Sequence, residues 1–269
     1  MPELPEVETV ARGLHKRLAG DRIREVWIGP HKKLLQSPAR QMERVLNGAL
    51  IVAFRRVGKH IVGQLETAEG PAQWVIHLGM TGRCLVYDAA AEMEKHTHLV
   101  ATMESGCEMR YVDPRRFGKL KVLTRGEFHA AGAEPLGADR EKFYERFHRR
   151  KTPIKSALLN QTLLTGIGNI YADESLFRAG IRPRRRADRV TRAEYERLYD
   201  GIQQVLTEAI AAGGSSVSDY VGAEGERGFF QLQHRVYQRT GEPCLVCGAE
   251  IQRVVLGGRS SHYCPHCQR

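Results

Sequence analysis

Residues 244–267, "CLVCGAEIQRVVLGGRSSHYCPHC", decide the fold of the C-terminal end because they contain two Cys-x-x-Cys pairs. Four thiolates at this spacing are typical of a tetrahedral zinc site built on two knuckles joined by a β-hairpin. Two disulfides are the alternative, and they are rare inside cells. We therefore expect one structural Zn²⁺, with no open coordination position for catalysis and no organic cofactor besides. Its ligands are Cys244, Cys247, Cys264 and Cys267.

The predicted hairpin between the knuckles carries "GGRSSHY" at residues 257–263, with Arg259 at its tip. An arginine at such a place is often an ordinary exposed side chain. A guanidinium on a rigid hairpin also offers forked donors to phosphate oxygens. The finger therefore favours nucleic-acid binding, although it does not by itself indicate an enzyme.

The charge of the chain also points to a polyanionic partner. Lys and Arg outnumber Asp and Glu by 41 to 31, which gives a formal net charge of +10. Much of the excess lies in two basic runs, residues 146–155 and 182–192, on either side of one predicted helical segment. A single basic run is often only a solvated face, but two such runs favour a nucleic-acid contact.

Length and hydropathy indicate a soluble protein of more than one domain. The 269 residues are 42% hydrophobic and 27% charged, as in globular proteins with a sizeable core. No apolar stretch approaches the roughly 18 residues of a membrane span, and the N-terminal residues lack a secretory pattern. We therefore expect a cytoplasmic location.

Upstream of the finger, the chain falls into two halves of different periodicity. Residues 26–123 alternate as in strands, with turn signals at Ser105-Gly106 and Asp113-Pro114. From residue 152 the pattern is helical, and Thr191 with Glu194 predicts a capping box. We expect an α+β fold with a β-rich N-terminal domain at 1–130, a hinge at 131–151, a helical domain at 152–235 and the zinc finger at 236–269.

The first ten residues, "MPELPEVETV", permit two interpretations. One is a helix start, in which Glu3 and Glu6 complement the positive end of the helix dipole. The apolar spacing of Leu4, Val7 and the residues that follow predicts such a helix. The other interpretation is catalytic, and other motifs in the chain must support it.

Five motifs occur in an order that resembles bacterial formamidopyrimidine-DNA glycosylases. They are "PELPEVETV", "HLGMTG", "DPRRFG", "LLTGIGNIYADESLF" and the terminal four-cysteine finger, and they span essentially the whole chain. The resemblance implies a β-sandwich with a leading α-helix, followed by a helix-two-turn-helix domain with the zinc finger. It also implies a monomeric, bifunctional enzyme that excises oxidised purines such as 8-oxoguanine from duplex DNA and then nicks the strand. Its partner is then DNA with oxidised bases or abasic sites, in a bacterial nucleoid.

The resemblance also implies the catalytic residues. Removal of Met1 leaves Pro2 as a secondary amine, and an α-amino group has a far larger unprotonated fraction at neutral pH than a lysine. Pro2 then attacks the sugar, Glu3 shuttles protons, and Glu6 orients a water or the N-terminus. Lys59 lies near the damaged base, with a surface phosphate contact as its alternative, and Arg259 grips the DNA backbone at the lesion.

The DNA contacts follow in the same way. A flipped base leaves a gap that must be filled, and the resemblance assigns this wedge role to Met80, Arg115 and Phe117. Each apolar member has a core position as its alternative. The glycine-rich segment 213–230 is expected to be a mobile loop over the flipped base. The predicted backbone contacts are Asn169, which acts with Arg259, and, with less specific matches, His77, His96, Lys155 and Tyr237.

Some features leave alternatives open. Thr81 follows Met80 at a position that varies in this family and bears on lesion preference. Endonuclease VIII shares the architecture and the N-terminal proline but prefers oxidised pyrimidines, and a non-catalytic zinc-finger protein would explain the charge and the cysteines. Cys84 and Cys107 have no partner motif, and we expect both in the core.

Overall fold

The structure is a computed structural model that describes residues 1–88, 91–216 and 221–269. It divides into two compact units. The first contains Met1–His129 and Ala212–Phe229, and the second contains Ala130–Ala211 and Phe230–Arg269. In the described part of the chain, no helix is long and apolar enough to cross a membrane.

The chain begins with helix α1, Leu4–Leu18. Glu3 occupies the N-cap position and Pro5 lies in the first turn, where its missing N–H costs no hydrogen bond. The predicted apolar face of α1 is confirmed, because its members are at most 1% exposed. They are Leu4, Val7, Ala11, Leu14 and Leu18.

Among the described residues, eight strands and a second helix complete most of the first unit. The elements are β1 (Ile23–Ile28), α2 (Ala39–Leu46), β2 (Leu50–Val57), β3 (His60–Thr67), β4 (Gly70–His77), β5 (Arg83–Asp88), β6 (Thr97–Met103), β7 (Cys107–Val112) and β8 (Lys119–Leu123). They form two antiparallel four-stranded sheets, in the orders β2-β3-β4-β8 and β1-β6-β7-β5. One hydrophobic cluster contains Trp74 of the first sheet and Tyr111 of the second, so the sheets pack as the expected sandwich.

The second unit is helical and ends in a small hairpin. Its helices are α3 (Arg140–Phe147), α4 (Ile154–Leu158), α5 (Asn169–Ala179) and α6 (Arg192–Ala211), and its strands are β9 (Gln252–Leu256) and β10 (Arg259–Tyr263). The predicted capping box starts α6: the Thr191 N–H donates to Glu194 at 2.8 Å, and the Glu194 N–H donates to the Thr191 hydroxyl at 3.3 Å. The α+β fold class is therefore confirmed.

Two segments differ from the expected boundaries. The expected hinge, 131–151, contains α3, because Asp139 caps the helix by accepting the Lys142 N–H and Phe143 and Phe147 are buried. Residues 212–229 group with the first unit. There Ala223 is fully buried, and its carbonyl accepts the Val86 N–H at 2.9 Å.

Candidate active site

The carboxylate of Glu6 organises the N-terminal end of the first unit. It is 1% exposed, and its Oε2 accepts the Glu3 backbone N–H at 2.8 Å. Its Oε1 accepts the Ser215 backbone N–H, also at 2.8 Å. One buried carboxylate therefore fixes the start of α1 and the glycine-rich segment together. Pro2 and Glu3, which precede the helix, are buried as well.

Lys59 lies in the turn between β2 and β3 and is 7% exposed. Nearby in sequence, Arg56 donates from Nε to Glu8 Oε2 at 2.8 Å, and Arg12 donates to the other Glu8 oxygen at 2.7 Å. The Arg56 side chain is only 8% exposed, so this pair is a largely desolvated link between α1 and β2. The link holds the strand that leads to Lys59 against the helix that follows Pro2.

The three predicted wedge residues are all exposed. Met80 is 39% exposed and Phe117 is 50% exposed. The Arg115 guanidinium lies over the Phe117 ring, 4.8 Å from its centroid. The alternative in which Met80 and Phe117 are core residues is therefore wrong. Two turns present these side chains, residues 78–82 and 113–118, and we call them the wedge turns.

His77 ends β4 opposite His60, with the two rings 4.8 Å apart. Burial lowers the pKa of His77, and the neighbouring Lys59 and Lys119 lower it further. Burial likewise lowers the pKa of His60, to about 4, with His77 and Lys121 adding to the shift. Both imidazoles are therefore neutral at pH 7. His96, by contrast, is exposed and has a left-handed backbone with φ of 70°.

In the second unit, the motif "GIGNIY" forms the start of α5. Gly166 has φ of 90°, which favours glycine, and Asn169 is the first helical residue, as expected. Backbone N–H groups at a helix start attract phosphates.

Further along α5, Asp173 and Glu174 are both 1% exposed. Glu174 accepts three backbone N–H groups, from Arg235, Val236 and Tyr237, at 2.9 to 3.0 Å. This carboxylate therefore holds the segment that carries Tyr237.

Lys155 and the hairpin meet at Asp173. The Lys155 ammonium lies 2.7 Å from Asp173 Oδ1 and donates to the Ser260 carbonyl at 2.6 Å. Asp173 Oδ2 accepts the His262 backbone N–H at 2.9 Å and lies 3.1 Å from its Nδ1. Lys155 is 1% exposed, so its ammonium is directed at protein groups in this structure. Its phosphate contact stays a prediction.

The four cysteines of the finger fit a zinc ion. Their Sγ atoms all lie within 4.8 Å of one another, and Cys244–Cys267 and Cys247–Cys264 are 3.9 and 3.4 Å apart. Tetrahedral zinc–thiolate bonds of about 2.3 Å place sulfurs about 3.8 Å apart. All four thiols are unbridged, so the disulfide alternative is wrong, and the site is that of one structural Zn²⁺.

The predicted hairpin is confirmed. Strands β9 and β10 are antiparallel, with Arg259 opposite Leu256 and Gly257-Gly258 between them at φ of 54° and 74°. Arg259 is exposed. Of the remaining cysteines, Cys84 is buried as expected, whereas Cys107 is only half-buried, although it packs against the same core.

Several residues that hold the site were not singled out from the sequence. Ser215 offers only a backbone N–H, which no side-chain pattern reveals. Asp173 and Glu174 lie inside a quoted motif, and two adjacent acids on a buried helix face are the signal that identifies them. Residues 217–220 of the expected loop lie outside the described residues. Near the two ends of this segment, the Phe229 N–H donates to the Ala212 carbonyl at 2.9 Å.

Comparisons with known proteins agree with this arrangement. Residues 1–120 match the formamidopyrimidine-DNA glycosylase N-terminal domain, residues 131–221 match the H2TH domain of the same enzymes, and residues 241–269 match the zinc finger found in FPG and IleRS. The formamidopyrimidine-DNA glycosylase of Solibacter usitatus is 49% identical over the full length of both chains.

Two solved structures of Lactococcus lactis Fpg are also similar. A complex of a mutant form with Fapy-dG-containing DNA has a TM-score of 0.91 at 34% identity and covers 100% of both chains. A complex with DNA containing an abasic site has a TM-score of 0.91 at 33% identity and covers 99% of both chains. Sequence, domain order and fold agree along the whole length, and the chain belongs to the formamidopyrimidine-DNA glycosylase family.

Proposed function

We propose that this protein is a bifunctional DNA glycosylase and AP lyase of base excision repair, which removes oxidised purines from duplex DNA and then cleaves the strand. The observation that carries the proposal is the Glu6 carboxylate, which holds the backbone directly after Pro2 in a buried, fixed position. A nucleophile at a chain end needs such a tether because terminal residues are otherwise poorly ordered. The family relatives, with DNA that contains Fapy-dG or an abasic site, support the substrate class.

The chemistry follows from a secondary amine next to a carboxylate. With Met1 removed, the Pro2 nitrogen attacks the sugar C1′, and the C1′–N bond to the damaged base breaks with its electron pair leaving on the base. The attached nitrogen then loses its proton, its lone pair forms the C=N⁺ bond as the C1′–O4′ bond breaks, and O4′ takes up a proton as the sugar ring opens. The resulting iminium acidifies the C2′ proton. Loss of that proton expels the 3′ phosphate, and a second elimination expels the 5′ phosphate. In this proposal, Glu3 moves the protons of these steps.

Glu6 acts differently from Glu3 in this proposal. Both of its oxygens are occupied by backbone N–H groups, from Glu3 and Ser215. It is therefore a positioning residue that orients the N-terminus. Lys59, buried at the β2–β3 turn, is assigned to the damaged nucleotide.

DNA binding uses both units. Met80, Arg115 and Phe117 fill the gap left by the flipped nucleotide, since their exposure leaves them accessible to a duplex. Asn169 and Arg259 grip the backbone at the lesion, and the further contacts are His77, His96 and Tyr237. The structure favours a supporting role for Lys155, whose ion pair with Asp173 lies under the hairpin. In this proposal the protein acts as a monomer in the bacterial cytoplasm, on chromosomal DNA.

Borohydride trapping tests the proposal directly. Protein with Met1 removed is incubated with a duplex that contains 8-oxoguanine opposite cytosine, and the iminium is reduced to a stable amine. We expect a covalent adduct that maps to Pro2 by peptide mass spectrometry. Glu3→Gln should bind the same duplex and lose most turnover, because phosphate contacts supply most of the affinity.

The controls separate the alternatives. Protein that retains Met1 has a tertiary amide at Pro2 and should give no adduct. An adduct at Lys59, or equal activity with Met1 retained, would overturn the assignment of Pro2. Preferential trapping on a duplex with an oxidised pyrimidine would instead indicate the endonuclease VIII specificity.

A further inference from the structure

The two wedge turns meet at backbone contact. A Cβ at Gly79 would lie 2.5 Å from the Gly118 nitrogen and 2.6 Å from the Phe117 carbonyl carbon. A Cβ at Gly118 would lie 1.6 Å from the Tyr111 hydroxyl. All three distances are below any real Cβ contact, so glycine is required at both positions. The turn that carries Met80 and the turn that carries Phe117 therefore lie against each other with no side chain between them.

A buried carboxylate joins the same two turns. Asp113 is fully buried, and its two oxygens serve different turns. Its Oδ1 accepts the Thr81 hydroxyl at 2.6 Å, whereas its Oδ2 accepts the Gly118 N–H at 2.9 Å. The Tyr111 hydroxyl also donates to Oδ2, at 3.4 Å. Hydrogen bonds to a charged acceptor are stronger than neutral ones, particularly where water is excluded.

The Thr81 hydroxyl takes part in a second bond. It donates to Asp113 and accepts the backbone N–H of Arg115 at 3.3 Å. Thr81 thus connects the residue that follows Met80 to the backbone of Arg115, whose guanidinium is stacked on Phe117. The hydroxyl is committed to protein groups on both sides.

We infer that Thr81 and Asp113 are positioning residues that lock the two wedge turns into one preformed unit, so that Met80, Arg115 and Phe117 enter the duplex at a fixed spacing. The inference deepens the proposed function and rests on it. Thr81 therefore acts through the wedge, and it is not a direct contact of the damaged base.

Preorganisation matters at one stage of the reaction more than at another. With an intact damaged base, the wedge must stabilise a nucleotide that would otherwise return to the stack. At a preformed abasic site there is no base to hold out. If the wedge turns are loosely held, ordering them on binding costs free energy. That cost slows the reaction of the duplex that contains an intact damaged base. Loss of the lock should therefore slow base excision and spare strand cleavage at abasic sites.

The test compares Thr81→Val with Thr81→Ser. Valine keeps the shape and removes the hydroxyl, whereas serine keeps the hydroxyl. Single-turnover rates are measured on an 8-oxoguanine·cytosine duplex and on the same duplex with a preformed abasic site. We expect Thr81→Val to lose about tenfold on the first substrate, as for one hydrogen bond to a charged group. It should stay within about twofold on the second, and Thr81→Ser should stay within about twofold on both.

A double-mutant cycle with Met80→Ala supplies a readout that a general folding defect does not move. If Thr81 acts through the wedge, Thr81→Val should cost much less in the Met80→Ala background than alone. Additive losses, or equal losses of Thr81→Val on both substrates, would overturn the inference. Absence of excision and of borohydride adduct in the parent protein would instead overturn the proposed function, so the two failures are distinguishable.

Discussion

The wedge turns of the first unit and the β9–β10 hairpin of the second are both exposed structures assigned to DNA, but they are held in different ways. The wedge turns are held by the hydrogen bonds of Asp113 and by backbone contact at Gly79. The hairpin rests on four thiolates and on one buried carboxylate, Asp173.

The difference follows from the size of the core beneath each structure. The wedge turns emerge from a sandwich whose cluster includes both sheets and α1. The cluster next to the hairpin consists of Phe177, Val236, Cys244, Ile251 and Cys264. A core this small rarely supports a fold without a metal or a disulfide. Hydrogen bonds and backbone contact therefore suffice to hold a turn on a large core in place, whereas a hairpin on a small core needs a metal.

The largest effect should come from the metal. Cys247→Ser, or removal of zinc by a chelator, should disorder the hairpin and weaken DNA binding at least tenfold, because a structural zinc site contributes on the order of 10 kcal/mol of folding free energy. Fluorescence anisotropy with lesion duplex and metal analysis measure the effect. Cys107→Ser is the matched control and should change neither. Unchanged DNA affinity in verified metal-free protein would show that the hairpin does not need a metal.

A smaller effect should come from the carboxylate beneath the hairpin. Asp173→Asn removes the charge that faces the Lys155 ammonium, and breaking a buried pair costs about 3 kcal/mol. We expect the free energy of unfolding to fall by about that amount, with weaker DNA binding but retained zinc. The control is Asp188→Asn, whose pair with Arg186 lies at the surface and should leave the free energy of unfolding almost unchanged. Equal costs for the two variants would show that the buried pair does not support the hairpin.

The smallest predicted effect is a loss of stability at acidic pH, and it comes from His60 in the first unit. The pKa of His60 is lowered to about 4, so the unfolded chain binds the proton more readily than the folded one. Stability from neutral His60 is fully present above about pH 6.5 and is lost as pH falls toward 4. This group alone should cost about 2 kcal/mol between pH 7 and pH 5.

His60→Gln measures that contribution. In chemical denaturation at pH 7 and pH 5, the variant should lose less stability on acidification than the parent. His129→Gln, at an exposed position, is the matched control for the loss of a histidine side chain. An identical slope in His60→Gln and parent would show that His60 is not the group that titrates.

The sequence predicts the parts of this molecule whose partners are close along the chain. The four cysteines, the apolar face of α1 and the Thr191–Glu194 cap follow from spacings of a few residues, and the structure confirms each. The family resemblance adds the wedge residues, whose exposure the structure also confirms.

The Thr81–Asp113 and Lys155–Asp173 pairs could not be predicted, because their partners are far apart in sequence. Thr81 finds Asp113 only because the pairings of β4 with β8 and of β5 with β7 bring their turns together. Lys155 finds Asp173 only through the packing of α4 on α5. The placement of Ala223 is of the same kind: its Cβ lies 2.8 Å from where a Cβ of Gly13 would be. No local pattern carries these pairings.

The zinc site has a chemical consequence of its own. Cys244 and Cys264 are buried, whereas Cys247 is exposed. Oxidants convert accessible thiolates to sulfenic acid, which is a poorer metal ligand. The reactive oxygen species that damage guanine therefore meet Cys247 before the buried ligands. We therefore expect oxidative stress to promote loss of the hairpin's metal at the same time as it raises the demand for repair, and thiol reductants that reverse the first oxidation step to restore DNA binding.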